Sequence, residues 1–213
     1  LSRMKETLPP TMKSRLRLSL FRIGWKDVFE PKIIPVFWIM LFVSFSAGAM
    51  ITLIPDTSKI VGWTNKGLYF TIYTVSSIVI RFFFSKASDQ YGRIPVLIFG
   101  CFMLSLSMFL LVFSANSYLM IISAIIYGVA WGFNTPTLAA WTNDLGDKNH
   151  MGRAMATMYI ALEAGIGIGA YVSGEIYQGI PNHIPIPFLI AGLLSLLAFL
   201  LLWKKKQAWT YGI

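Results

Sequence analysis

Ser85-Lys86-Ala87-Ser88-Asp89-Gln90-Tyr91-Gly92-Arg93-Ile94-Pro95 is a short polar stretch between two long apolar runs. Its position decides how the rest of the chain is read. Upstream, residues 67–84 are apolar apart from Arg81; downstream, residues 94–115 carry no charge. Roughly 20 apolar residues in a helix cross the ~30 Å hydrocarbon core of a bilayer. Four further runs meet that length, at 34–54, 118–142, 152–177 and 184–203. They are too long for the roughly 10-residue alternating strands of a membrane barrel, and a segment in lipid must satisfy its own backbone. The expected fold is an all-α membrane protein with six transmembrane helices. The quoted stretch is then the loop between the second and third.

Composition agrees. Of 213 residues, 56% are hydrophobic and 13% charged, and the mean hydropathy is +0.65. A soluble domain carries about 25% charged residues, so a soluble monomer is excluded, as is intrinsic disorder. The net charge of +9 would suggest nucleic acid in a soluble chain. Here its distribution explains it. Six spans put both termini on one side, which collects sixteen of the Lys and Arg residues and leaves only Lys59 and Lys66 opposite. Cytoplasmic loops of membrane proteins carry such an excess. Both termini are therefore expected in the cytoplasm, with the chain in the plasma membrane (the inner membrane of the cell) and no nucleic-acid partner.

The expected organisation is a basic linker at 1–32, a six-helix unit at 33–206 and a cytoplasmic tail at 207–213. The linker interleaves Lys13, Arg15, Arg17, Arg22 and Lys26 with Leu16, Leu18, Leu20, Phe21, Ile23 and Trp25, a pattern suited to an anionic leaflet. The lone Cys101 excludes a disulfide framework and a cysteine metal site. No metal or cofactor is expected. The first residue is Leu1, so the chain is expected to be part of a longer one.

The loop at 85–95 resembles the signature loop of the major facilitator superfamily, G-x-L-[AS]-D-R-x-G-R-[RK]. Asp89, Gly92 and Arg93 keep the pattern, while Ser85, Gln90 and Ile94 depart from it. Phe29-Glu30-Pro31-Lys32 is similar to the end of the central linker of a twelve-helix transporter. Gly128 to Pro136 resembles the Gly-rich tenth helix. Residues 152–169 are similar to the eleventh helix of drug:proton antiporters and sugar exporters. The resemblance implies one half of such a fold, helices seven to twelve, with a nested three-plus-three repeat. It implies secondary transport of a small molecule, the proton as coupling ion, and an N-terminal six-helix half as partner beside the lipid bilayer.

Within that frame, Asp89, Gly92 and Arg93 form a gating loop; on geometry alone they are a solvated turn with Gly92 at positive φ. In the fifth span Ala161, Gly165, Gly169 and Ser173 make one small-residue stripe, and Gly167, Ala170 and Gly174 make another on the side of Glu163. Small residues let helices approach closely in lipid. Two such stripes imply neighbours on both sides, and Gly165, Gly169 and Ser173 are assigned to half-to-half packing. Glu163 is the one carboxylate deep in a span. Such an acid is by default a functional candidate, here a proton site, with a hydrogen-bonded packing role as the alternative. Tyr127, Trp131 and Asn134 share a face of the fourth span and suit a substrate-cavity wall, which Tyr69 and Tyr73 extend. Gly128 and Gly132 lie on a packing face. Arg81, near the end of its span, is expected to snorkel.

An enzyme is not expected, because no span contains His or Asp for intramembrane chemistry. A channel is not expected without an Arg repeat or a carbonyl-filter sequence. The alternative function is a non-transporting six-helix fragment or scaffold.

Overall fold

The computed structural model describes residues 29–113, 116–148 and 150–210; the basic linker before residue 29 lies outside them. A 3-10 turn at Pro31–Ile33 leads into α1, Ile34–Ile60. Then come α2, Leu68–Phe84, the short α3, Ala87–Gln90, and α4, Arg93–Val112. After them run α5, Ser117–Leu145, and α6, Met151–Tyr177. A second 3-10 turn, Pro181–His183, leads into α7, Pro185–Thr210.

Among the described residues, five helices are long and apolar enough to cross a membrane. The remaining expected span, the second in the chain, is α2, which is apolar but only 17 residues long, about 25 Å at 1.5 Å per residue. It ends at Phe84, as the sequence reading expects, and starts one residue later than the expected 67–84. α7 continues through Lys204-Lys205-Lys206 to Thr210, past the end of the apolar run. Sequence chemistry sets the ends. The Asn116 side chain accepts the Leu119 backbone N–H at 3.0 Å and so caps α5. Gly92 starts α4 at φ 87°, a conformation that a Cβ would strain.

The long helices pack as an open arc: α6 against α1, α1 against α7, α7 against α4, α4 against α5 and α5 against α2. α5 and α6 touch lightly, and α5 is the one extensive neighbour of α2 among the described residues. Glycines set the closest approaches. A Cβ on Gly48 would lie 2.1 Å from the Ile166 carbonyl oxygen. On Gly165 it would lie 2.6 Å from that of Leu41, and on Gly169 2.3 Å from that of Phe45. At the other end of the arc, a Cβ on Gly128 would lie 2.3 Å from the Tyr73 carbonyl oxygen. Polar links cross the interior. Tyr69 and Ser123 share a 2.9 Å hydrogen bond, and Ser105 donates to the Gly192 carbonyl at 3.0 Å.

The two ends of the arc are bare. α2 buries only Tyr69 and Ser77, and leaves Val75, Ile78, Phe82 and Phe83 more than half exposed. α6 exposes Tyr159, Ile160, Glu163, Gly167, Ile168, Tyr171 and Gly174.

Candidate functional site

The loop at 85–95 is an ion-pair junction. Gly92 turns the chain so that Arg93, the first residue of α4, faces three partners. Its Nε donates to Asp144 Oδ2 at 2.7 Å, one η nitrogen donates to Ser88 Oγ at 2.8 Å, and the same nitrogen bonds Asp89. The planar fork of guanidinium suits this shared role. Asp144 closes α5, so Arg93 ties the α2–α4 connection to the end of a third helix. Asp89 and Asp144 are at least half exposed while Arg93 is mostly covered. Exposed pairs are worth about 0–1 kcal/mol each, which makes this junction easy to open.

A second junction lies at the same basic end. Arg153 donates through Nε to Glu30 Oε2 at 2.9 Å and through a second nitrogen to the same oxygen. The Glu30 backbone N–H donates to Thr157 Oγ1 at 2.9 Å, and that hydroxyl donates to the Arg153 carbonyl at 3.0 Å. The Glu30 side chain is only 5% exposed. With Glu30 buried and Arg153 26% exposed, the pair lies between an exposed one and the fully buried case, where removing one partner costs about 3–5 kcal/mol. It is therefore a firmer joint between the start of α1 and the start of α6. At the opposite end of α1, Lys59 bonds Asp56 at 2.7 Å.

The expected cavity wall is only partly assembled. Tyr127 stacks on Trp131 with centroids 5.9 Å apart and an interplanar angle of 10°, and Tyr73 meets Tyr127 edge-on at 5.4 Å. Tyr73 and Trp131 are half-buried, so they reach the surface between α2 and α5; Tyr127 is buried behind them with no hydrogen bond from its hydroxyl. Two expected members lie elsewhere. Tyr69 is fully buried and held by Ser123, and Asn134 is fully buried against α4, where a Cβ on Gly100 would come within 2.1 Å of its Oδ1. Helical periodicity puts Tyr69 on the face of Tyr73 in α2 and Asn134 on the face of Tyr127 and Trp131 in α5, but the neighbouring helices cover each face unevenly.

Glu163 occupies the middle of α6 on its exposed face. Gly167 and Gly174 beside it meet no atom within 4 Å of where a Cβ would be. The assignment of Gly165, Gly169 and Ser173 to half-to-half packing is corrected: all three are buried, and both glycines face the α1 backbone within this chain. The stripe left open is Gly167 and Gly174. Arg81 is exposed near the end of α2 and lines a small cleft with Phe84, Ser88 and Phe133.

Sequence reading missed Asp144 and gave Glu30 no partner. Both are acids at span ends on the basic side, and that placement was the available signal.

The family model described as Major Facilitator Superfamily matches residues 36–208. An uncharacterized MFS-type transporter of Methanocaldococcus jannaschii is 25% identical over 175 residues, covering 81% of this chain and 45% of that protein. The quinolone resistance protein NorA of Staphylococcus aureus is 24% identical over 184 residues, covering 83% of this chain and 47% of NorA. The chain thus spans about half the length of the curated relatives it matches.

Proposed function

The chain belongs to the major facilitator superfamily, and on that premise we propose that it is the C-terminal six-helix half of a secondary transporter that exports a small amphipathic solute in exchange for protons. The observation that carries this reading is the open arc. Its two ends, α2 and α6, present bare apolar faces, and α6 adds open glycines that would let another helix approach closely. A second six-helix unit would cover both ends at once and enclose the space between them. The order of packing supports a nested repeat. Exchanging α1 with α5, α2 with α6 and α4 with α7 turns the α1–α6 contact into α5–α2, turns α7–α1 into α4–α5, and leaves α4–α7 in place. A three-plus-three inverted repeat requires that permutation.

On this reading Glu163 faces the path between the halves and carries the proton, while Tyr73 and Trp131 offer aromatic area to the solute. The Arg93 junction is the gate: it opens and closes as the halves rock, because it joins helices through exposed, easily exchanged pairs. NorA, named for quinolone resistance, suggests a quinolone as the first solute to try.

The test is efflux of a fluorescent quinolone by the chain paired with a second six-helix half, under an imposed pH gradient. Glu163→Gln keeps shape but cannot cycle a proton. It should lose proton-driven efflux and retain downhill exchange; parent-like proton-driven efflux would remove Glu163 from the mechanism. Orientation is tested separately. In a chain with Cys101→Ser, Lys59→Cys should react with an impermeant thiol reagent on intact cells, and protection there would reverse the topology.

A further inference from the structure

At the basic end of the bundle, nearly every cation with a defined partner meets a carboxylate: Arg93 takes Asp89 and Asp144, and Arg153 takes Glu30. Lys205 differs. Its Nζ lies 4.7 Å from the centre of the Trp141 ring, and no carboxylate pairs with it among the described residues. An ammonium over an indole face is attracted by the ring and held in place, but its charge is left without an anion.

Lys205 stands at the mouth of a groove between α1, α5 and α7. Trp38, Ile39 and Phe42 form one wall, Leu197 and Leu201 the other, and Trp141 the remaining side, around a cavity of about 490 Å³. Apart from Lys205 the lining is apolar. Trp38 is 50% exposed and Leu201 44%, so the groove opens sideways, into hydrocarbon once the chain is in a bilayer. From Leu197 to Lys205 it runs about 12 Å along α7 at 1.5 Å per residue, most of one leaflet's half of the ~30 Å core. The groove therefore joins acyl-chain depth to headgroup depth, with a cation at the headgroup end and Lys204 next to it.

We propose that this groove is a binding site for an anionic phospholipid of the leaflet at the lysine end. One acyl chain lies along Phe42, Leu197 and Leu201, and the phosphate meets Lys205. Charge selects the headgroup. A zwitterionic lipid carries its own ammonium beside the phosphate, which Lys205 repels, whereas an anionic headgroup supplies only the missing negative charge. The site depends on the chain lying in a bilayer and not on its transporting anything.

Native mass spectrometry of the full chain, released from micelles holding equal amounts of phosphatidylglycerol and phosphatidylcholine, tests this. The parent should retain phosphatidylglycerol about threefold or more over phosphatidylcholine. Lys205→Gln should bring that ratio near one, and Lys204→Gln should leave most of it. Leu197→Trp, which fills the groove, should reduce retention of both lipids, with circular dichroism confirming that each variant keeps its helices. Equal loss in Lys204→Gln and Lys205→Gln would indicate a diffuse basic surface and overturn the site, as would an unchanged ratio in Lys205→Gln.

Discussion

α6 carries two stripes of small residues, and the chain uses them in opposite ways. Gly165 and Gly169 press against the carbonyls of Leu41 and Phe45, close enough that any Cβ would collide. Gly167 and Gly174 have open space where a Cβ would go, beside the exposed Glu163. A short side chain therefore states only that close approach is allowed, and the neighbour decides whether it happens. The first stripe has its neighbour in α1. The second makes sense when a further helix, a solute or water comes to it.

The sharpest way to break this contrast is a matched pair of substitutions. Gly169→Leu should force α1 and α6 apart at a cost of about 3 kcal/mol or more, the upper range for overpacking, seen as lost folded protein in detergent. Gly167→Leu should change the stability of the chain alone by within about 0.5 kcal/mol, yet block its pairing with a second half. Equal tolerance at both positions would erase the distinction.

The next largest effect concerns the joint that holds α6 to α1. Glu30→Gln removes the carboxylate from Arg153, and with Arg153 26% exposed the loss should be about 1–3 kcal/mol, below the fully buried limit. Thermal unfolding of the purified chain measures it. An unchanged midpoint would mean that the packed face of α6 stands on its glycines alone.

Smaller still is the expected effect at the Arg93 junction. Asp89→Asn and Arg93→Lys each weaken an exposed pair worth about 1 kcal/mol. If the junction gates transport as proposed, turnover by the chain paired with a second half should fall roughly fivefold, with solute affinity little changed, because an opening equilibrium and not a pocket is altered. Normal turnover in both variants would return the loop to a solvated turn.

Much of this was legible from local chemistry. The apolar runs gave the helices because lipid leaves the backbone no other option, and Asp89-Gln90-Tyr91-Gly92-Arg93 gave the turn because φ near 87° at residue 92 asks for glycine. Gly128, on the packing face that the small residues of α5 mark out, lies against Tyr73 and Ser76 of α2. The readings that failed needed to know which helix stands beside which. Arg93 finds Asp144 across 51 positions and Arg153 finds Glu30 across 123, and no spacing rule reaches that far. The same gap misplaced Tyr69 and Asn134: a helical face is periodic in sequence, but whether it meets Ser123, Gly100 or open space is a property of the arc.

On the function proposed above, a second six-helix half covers the open ends of the arc. Reconstitution into vesicles at less than one chain per vesicle, followed by uptake of a fluorescent quinolone, tests it most directly. No uptake is expected from the chain alone, and uptake is expected from a pre-assembled complex with a second half at the same dilution, lost again in Gly167→Leu. Uptake by single chains at that dilution would contradict it.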